Sequence, residues 1–340
     1  MQDKSGIIRF VFRQRKIKSR ELAAKFHISR QYANRILKGL VNGGKLVKIG
    51  STKSAVYLPP KFAGQAEVKI EKRLSNKNLR EHEVLEEIGT KSQIVSSLDE
   101  NIRSIFAYAF SEMLNNAIDH SESGNIQIDV GKTGGKIVFH VNDFGIGVFR
   151  NIMEKRHLKS ELEAIQDLLK GKTTTQPNAH SGEGIFFTSK IADMFLLESH
   201  KYRLIIDNPM DDVFLQEMKR SKKGTKVTFA LAADSPKHLN DVFKKYQTDP
   251  AEYAFDKTEI RVKLYTLGTI HISRSQARRI TVGLEKFRHV ILDFGQVPMV
   301  GQAFADEIFR VFKNRHPGIE IEPVNMNEAV RFMIGRVAKK

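Results

Sequence analysis

The sequence predicts a multidomain α+β chain, and three observations carry that expectation. A chain of 340 residues exceeds the usual size of one domain, and 41% hydrophobic with 28% charged residues is enough for packed cores. The positive charge is concentrated. Of a net +17, +12 lies in residues 1–60, where 14 Lys or Arg face only Asp3 and Glu21. Residues 5–58 read as helices closed by a hairpin, whereas residues 255–340 alternate strands and helices. The expected divisions are 1–60, a helical connector over 61–100, then 101–232 and 255–340.

Composition excludes several classes. The chain has no Cys, so disulfides, thiolate zinc sites and a Cys nucleophile are excluded. The eleven His are scattered without metal-ligand spacing, so no structural metal is expected. No apolar run approaches the ~18 residues of a membrane span, and MQDKSGIIRF lacks the pattern of a secretion signal. The expectation is a cytoplasmic chain with no membrane contact.

In the basic end, Ile7, Ile8, Phe10, Val11 and Phe12 give an apolar first helix. Ser19 suits the N-cap of a second helix with Leu22, Ala23 and Phe26 inward, because its hydroxyl can accept from free first-turn N–H groups. Ser29 suits the N-cap of a third, in which Tyr32, Ala33, Ile36, Leu37 and Leu40 recur at helical spacing. Gly43-Gly44 ends it, KLVKIG and AVYL form short strands around Ser51–Ser54, and Pro59-Pro60 closes the unit. This order resembles a winged helix-turn-helix domain, with its tight turn at His27-Ile28. The resemblance implies double-stranded DNA as the partner of residues 1–60. Arg30, Gln31, Asn34 and Arg35 would face base edges, where Arg suits guanine and Gln or Asn suits adenine. Lys45, Lys48 and Lys53 on the hairpin would reach phosphate or the minor groove. Protein contact through the same module is the alternative, and the concentrated charge argues against it.

The connector contains His82-Glu83, which resembles the phosphoacceptor box of sensor histidine kinases. Too little chain separates His82 from Glu112 for the dimerisation hairpin of such kinases, so a solvent-facing helix His is expected.

Residues 101–232 carry three ordered motifs. SEMLNNAIDHS, as a helix, sets Glu112, Asn116 and His120 at i, i+4 and i+8, with Asp119 adjacent. Carboxylates and amides are costly to bury without partners, so such a stripe suggests a site. NDFGIGV follows the apolar strand KIVFHV, so Asp143 leaves a strand end while Gly145 and Gly147 allow a sharp turn. In HSGEGIFFTSKIADMF, Gly182 and Gly184 open a helix whose free N–H groups can bind phosphate oxygens. Taken singly, Asp143 reads equally as a turn-initiating residue and Glu112 as part of a solvated helix face.

Together and in order, the three resemble the N, G1 and G2 boxes of the GHKL superfamily of Bergerat-fold ATPases, and Glu-x-x-x-Asn-Ala-x-x-His resembles its anti-sigma-factor-kinase branch most. Gly224-Thr225 before the strand KVTFAL resembles the family's last nucleotide contact. The resemblance implies a Bergerat α/β sandwich that binds ATP and Mg²⁺. Asn116 would help hold Mg²⁺, with Asp119 beside it. Asp143 would accept a hydrogen bond from the adenine amino group, and Gly145 and Gly147 would shape the pocket edge. Gly182 and Gly184 would cradle phosphates, Thr225 would bind near the adenine through water, and Glu112, as the catalytic residue, would orient or deprotonate the attacking water or hydroxyl. Segment 149–180 would be the lid, with Lys172 near a phosphate. No P-loop signature is present.

The last region reads as EIRVKLY (strand), SRSQARRITVGLEKF (helix), HVILDF (strand), GQAFADEIFRVFKNRH (helix), GIEIEPV (strand) and NMNEAVRFMIGRV (helix). LDFGQVPMVGQAFADE and HISRSQARRI resemble a STAS-like family of unknown function found beside GHKL ATPases, which implies a small α/β domain. Where STAS antagonists carry a phosphorylatable Ser, this chain has Gln302, so the usual phospho-switch is not expected. Ser273 and Ser275 are expected to cap a helix, and Asp306 and Glu307 to form a polar helix face.

The expected function is an ATP-binding, DNA-binding transcriptional or signalling regulator in which Mg-ATP controls the basic domain. The alternatives are a serine/threonine protein kinase of the anti-sigma-factor type and a non-hydrolysing adenine-nucleotide sensor. The organisation also allows a protein partner on the STAS-like domain and a homodimer.

Overall fold

The computed structural model describes residues 4–14, 16–49, 55–60, 68–91, 93–172, 183–249, 254–265, 270–271 and 273–338. Helices α1 (Lys4–Arg13), α2 (Ser19–Phe26) and α3 (Arg30–Asn42) enclose a core that includes Ile7, Val11, Leu22, Ala33 and Leu37. Strands β1 (Val47–Ile49) and β2 (Val56–Leu58) pair antiparallel, and Ile17 bridges to Tyr57. His27 takes a left-handed conformation (φ 50°) between α2 and α3, and the Ser29 hydroxyl accepts from the Tyr32 N–H. The cap of α2 differs from expectation. Lys18 is the N-cap and Ser19 the first helical residue, because Glu21 reaches back to accept from the Lys18 N–H at 2.9 Å.

The stretch read as a helical connector contributes a strand as well as helices. β3 (Val68–Ser75) pairs antiparallel along its whole length with β4, from Val68↔Lys132 to Ser75↔Asn125. Ile70 and Leu74 alternate onto the core, and Lys72 pairs with Glu87. Helices α4 (Glu81–Lys91) and α5 (Gln93–Ser96) bury Val84, Ile88, Ile94 and Val95 in that same core. His82 is exposed. Helix α6 (Glu100–His120) then runs behind the sheet, burying Ile102, Phe106, Phe110, Met113 and Ala117 along one stripe.

Strands β4 (Asn125–Thr133) and β5 (Lys136–Asp143) follow, then helices α7 (Val148–Lys155), α8 (Glu161–Lys170) and α9 (Gly184–Ile191), then β6 (Met194–Asp207) and β7 (Asp212–Ala232). The five strands form one antiparallel sheet in the order β3-β4-β5-β7-β6. Residues 149–170 are therefore not a lid. Phe149, Ile152, Ala164, Ile165 and Leu168 are buried in the sheet's own core, which fixes α7 and α8 as part of the body. Residues 173–180 lie outside the described residues.

Helix α10 (Leu239–Lys245) leads into the last region, with β8 (Lys257–Arg261), β9 (Ile270–His271), α11 (Arg274–Thr281), β10 (His289–Asp293), β11 (Met299–Val300), α12 (Gln302–Asp306), α13 (Lys313–Arg315), β12 (Glu320–Val324) and α14 (Glu328–Ala338). Parallel strands β12-β10-β8 form a sheet, with β9 and β11 paired beside it, so the expected α/β alternation is observed. A π-helical turn (Glu307–Phe312) joins α12 to α13. Ser273 caps α11 by accepting from the Gln276 N–H. Glu307 departs from its expected place on a polar face. It is buried, and its Oε1 accepts from Arg278 Nε at 2.8 Å, an ion pair that compensates a carboxylate turned inward.

Candidate nucleotide-binding site

Strand periodicity brings two polar side chains inward. In β5, Ile137, Phe139 and Val141 face the core, and Asp143 follows in the same phase. In β7, Thr225 precedes Val227, Phe229 and Leu231 in the same way. The two strands pair antiparallel up to Asn142↔Lys226, so Asp143 and Thr225 meet at the sheet's end. Asp143 Oδ1 accepts from the Gly145 N–H at 3.0 Å and the Thr225 N–H at 3.1 Å. The Thr225 hydroxyl accepts from the Val148 N–H at 2.9 Å, which ties the glycine turn to β7. Burial raises the Asp143 pKa, while these donors and the Lys222 charge oppose the rise.

Close backbone contact explains the glycines. The Ile146 N–H donates to Ser121 O at the end of α6, and a Cβ on Gly145 would lie 1.6 Å from that oxygen. Gly147 has φ 87°, a conformation that L side chains rarely adopt, and starts α7. Gly224 has φ 73°, and a Cβ there would strike Asp143.

The other end of the site lies along α6. Tyr108, Glu112 and Asn116 are half-buried at i, i+4 and i+8. Gly184, the first residue of α9, lies so close to Glu112 that a Cβ would come within 2.0 Å of its Oε2. The Tyr108 pKa is raised by burial and then by the charges of Glu112 and Glu183, so both carboxylates lie near its hydroxyl. Among the described residues the buried Asn116 Nδ2 atom has no hydrogen-bond partner, a donor that could serve an acceptor from outside the protein. Among the described residues no three His, Asp or Glu cluster as a metal cage. Mg²⁺ beside phosphate oxygens keeps waters and takes few protein ligands. The side-chain oxygen of Asn116 is a hard donor of the kind such an ion would use.

The structure thus joins Asp143, Gly145, Gly147 and Thr225 in one cluster and sets Gly184 against Glu112, with Asn116 one helical turn further along α6. Asp119 is exposed further along α6, and Gly182 lies outside the described residues. Lys172 does not serve a phosphate. Its Nζ donates to Lys286 O at 3.1 Å and lies over the Phe255 and Phe287 rings. Sequence reasoning missed Tyr108, although it stands one helical turn before Glu112. It also missed Ser199, whose buried hydroxyl donates to Gly224 O at 3.1 Å.

In the basic domain, Arg30, Gln31, Asn34 and Arg35 are exposed on α3, opposite buried Ala33, Ile36, Leu37 and Leu40. Lys45 and Lys48 are exposed, and Lys53 lies outside the described residues.

Comparison with known families agrees with this geometry in two places. Residues 102–235 match the family described as histidine kinase-, DNA gyrase B-, and HSP90-like ATPase. Residues 276–331 match a STAS-like domain of unknown function. No curated protein matches the chain. A GHKL-type ATPase domain and a STAS-like domain are therefore present, and among the described residues no helix is long and apolar enough to cross a membrane.

Proposed function

We propose that the chain is a DNA-binding regulator whose histidine-kinase-like ATPase domain binds Mg-ATP and thereby controls a winged helix-turn-helix domain in residues 1–60. The observation that carries the nucleotide half is the buried Asp143 carboxylate, held at a strand end by the Gly145 and Thr225 N–H groups. A buried acceptor of this kind suits the exocyclic amino group of adenine and disfavours the guanine carbonyl. The Asn116 donor and the start of α9 suit phosphate oxygens. Mg²⁺, held by Asn116 and the phosphates, would neutralise phosphate charge. Glu112 would hold or accept the proton of an attacking water or hydroxyl.

The DNA half rests on charge and shape. A helix that exposes Arg30, Gln31, Asn34 and Arg35 follows a tight turn in a domain carrying +12. Control requires reciprocity: if ATP changes DNA affinity, DNA changes ATP affinity by the same factor. Fluorescence anisotropy on a duplex, with and without saturating Mg-ATP, tests this. Equal DNA affinity in both conditions would contradict the proposal.

The STAS-like match favours one other reading, a protein kinase that docks its substrate on that domain. Transfer of radiolabelled γ-phosphate to protein would support it, and release of free phosphate alone would not. Equal negligible turnover by wild type and Glu112→Ala would instead indicate a non-hydrolysing sensor.

A further inference from the structure

The residues on both sides of 173–182 are fastened to the C-terminal region. On the near side, buried Lys170 at the end of α8 donates through Nζ to Arg279 O at 2.9 Å and Val282 O at 2.6 Å, satisfying carbonyls at the end of α11. The Thr258 hydroxyl donates back to Lys170 O at 2.6 Å, and Gln166 Nε2 donates to Leu264 O at 2.8 Å. Burial pushes the Lys170 pKa down to about 8. On the far side, Phe186 and Phe187 of α9 are buried in the C-terminal core rather than in the core of the sheet that carries Asp143.

Phe255 touches both sides. The Phe255 ring lies 4.7 Å from Phe186 and 4.8 Å from Phe187, centroid to centroid. Gly171 (φ 80°) approaches it so closely that a Cβ would fall 2.6 Å from Phe255 Cζ. Helix α9 thus has two fixed points only two residues apart. Gly184 sits against Glu112, and Phe186 is seated against Phe255.

We propose that the C-terminal region is a working part of the nucleotide site, with Phe255 and Lys170 as positioning residues that set the start of α9, and with it Gly184, against Glu112. This rests on the nucleotide reading above. The adenine end does not depend on them, since Asp143 and Thr225 are held by each other and by β5–β7 pairing. The two ends should therefore respond separately to a change in the C-terminal contact.

The test compares Mg-ATP and adenosine binding by calorimetry in full-length wild type, Phe255→Leu and Lys170→Met, with folding checked by circular dichroism. Phe255→Leu keeps an apolar side chain at Gly171, and Lys170→Met keeps length without the donors, so a folding failure in one leaves the other. The expected result is a loss of about tenfold or more in ATP affinity with adenosine affinity unchanged within about twofold. An equal fall for both ligands would mean a merely structural role, and no fall for either would mean no coupling; each overturns the proposal. If wild type binds neither ligand, the nucleotide reading fails first and this inference with it.

Discussion

Asp143 shows how one residue joins fold and chemistry. Alternation along β5 decides that its carboxylate points inward, and two backbone donors keep it ordered there. That phase is legible in KIVFHVND, where every second residue is apolar until the aspartate, so the site's anchor is visible in the sequence alone. Burial raises its pKa above the ordinary 3.8. A bound adenine amino group needs the ionised acceptor, so adenosine affinity should hold above the raised value and fall as pH drops through it. That onset should lie above the ordinary 3.8, and calorimetry in a pH series checks it. Folding responds in the opposite sense. The folded chain holds this proton more tightly than the unfolded chain, so the group's contribution to stability is fullest below 3.8 and shrinks as pH rises through the raised value. Gly145 gives a second expectation. Gly145→Ala would drive a Cβ into the Ser121 carbonyl, and main-chain atoms cannot swing aside. A loss of about 2–3 kcal/mol or more in denaturant unfolding is expected. Wild-type stability in that variant would contradict the close approach.

At the scale of elements, the sequence is clearest where apolar spacing is unbroken. The stripe of α6, strands β5 and β7 and the alternation after residue 255 all carry their period openly. β3 is harder to read because Lys72 occupies an in-phase position between Ile70 and Leu74, and its charge is compensated only by Glu87 on α4. No local pattern announces a partner that distant. Helices α7 and α8 are hidden differently: a family resemblance assigns 149–180 to a lid, although Phe149, Ile152, Ile165 and Leu168 have the spacing of packed helices. The correction predicts where the ATPase domain can be cut. A chain beginning at residue 68 should unfold cooperatively, whereas one beginning at 101 lacks an edge strand and the buried side chains of α4 and α5. Thermal denaturation followed by circular dichroism distinguishes them, and equal midpoints would show that β3 adds nothing.

The chain joins a basic, helical end to an ATPase domain whose helix α9 seats Phe186 and Phe187 in the C-terminal core. The DNA binding proposed for the basic end predicts a steep salt dependence, because each neutralised phosphate releases counterions. Lys48→Ala should weaken binding to all duplexes alike and lower the salt slope by about 1. Arg30→Ala should instead change which duplex is preferred, since its side chain is exposed at the start of α3. A competition series at two salt concentrations separates these effects, and identical behaviour of the two variants would count against the assigned orientation.

The ATP-controlled reading stands or falls with the adenine end of the pocket. The most direct measurement is calorimetric titration of Mg-ATP and Mg-GTP into wild type and Asp143→Ala. Wild type should prefer ATP, and the variant should lose about 1.5–3 kcal/mol of ATP binding together with that preference, as removal of a hydrogen bond to a charged group requires. An unchanged ATP affinity and an unchanged base preference in Asp143→Ala would contradict the account.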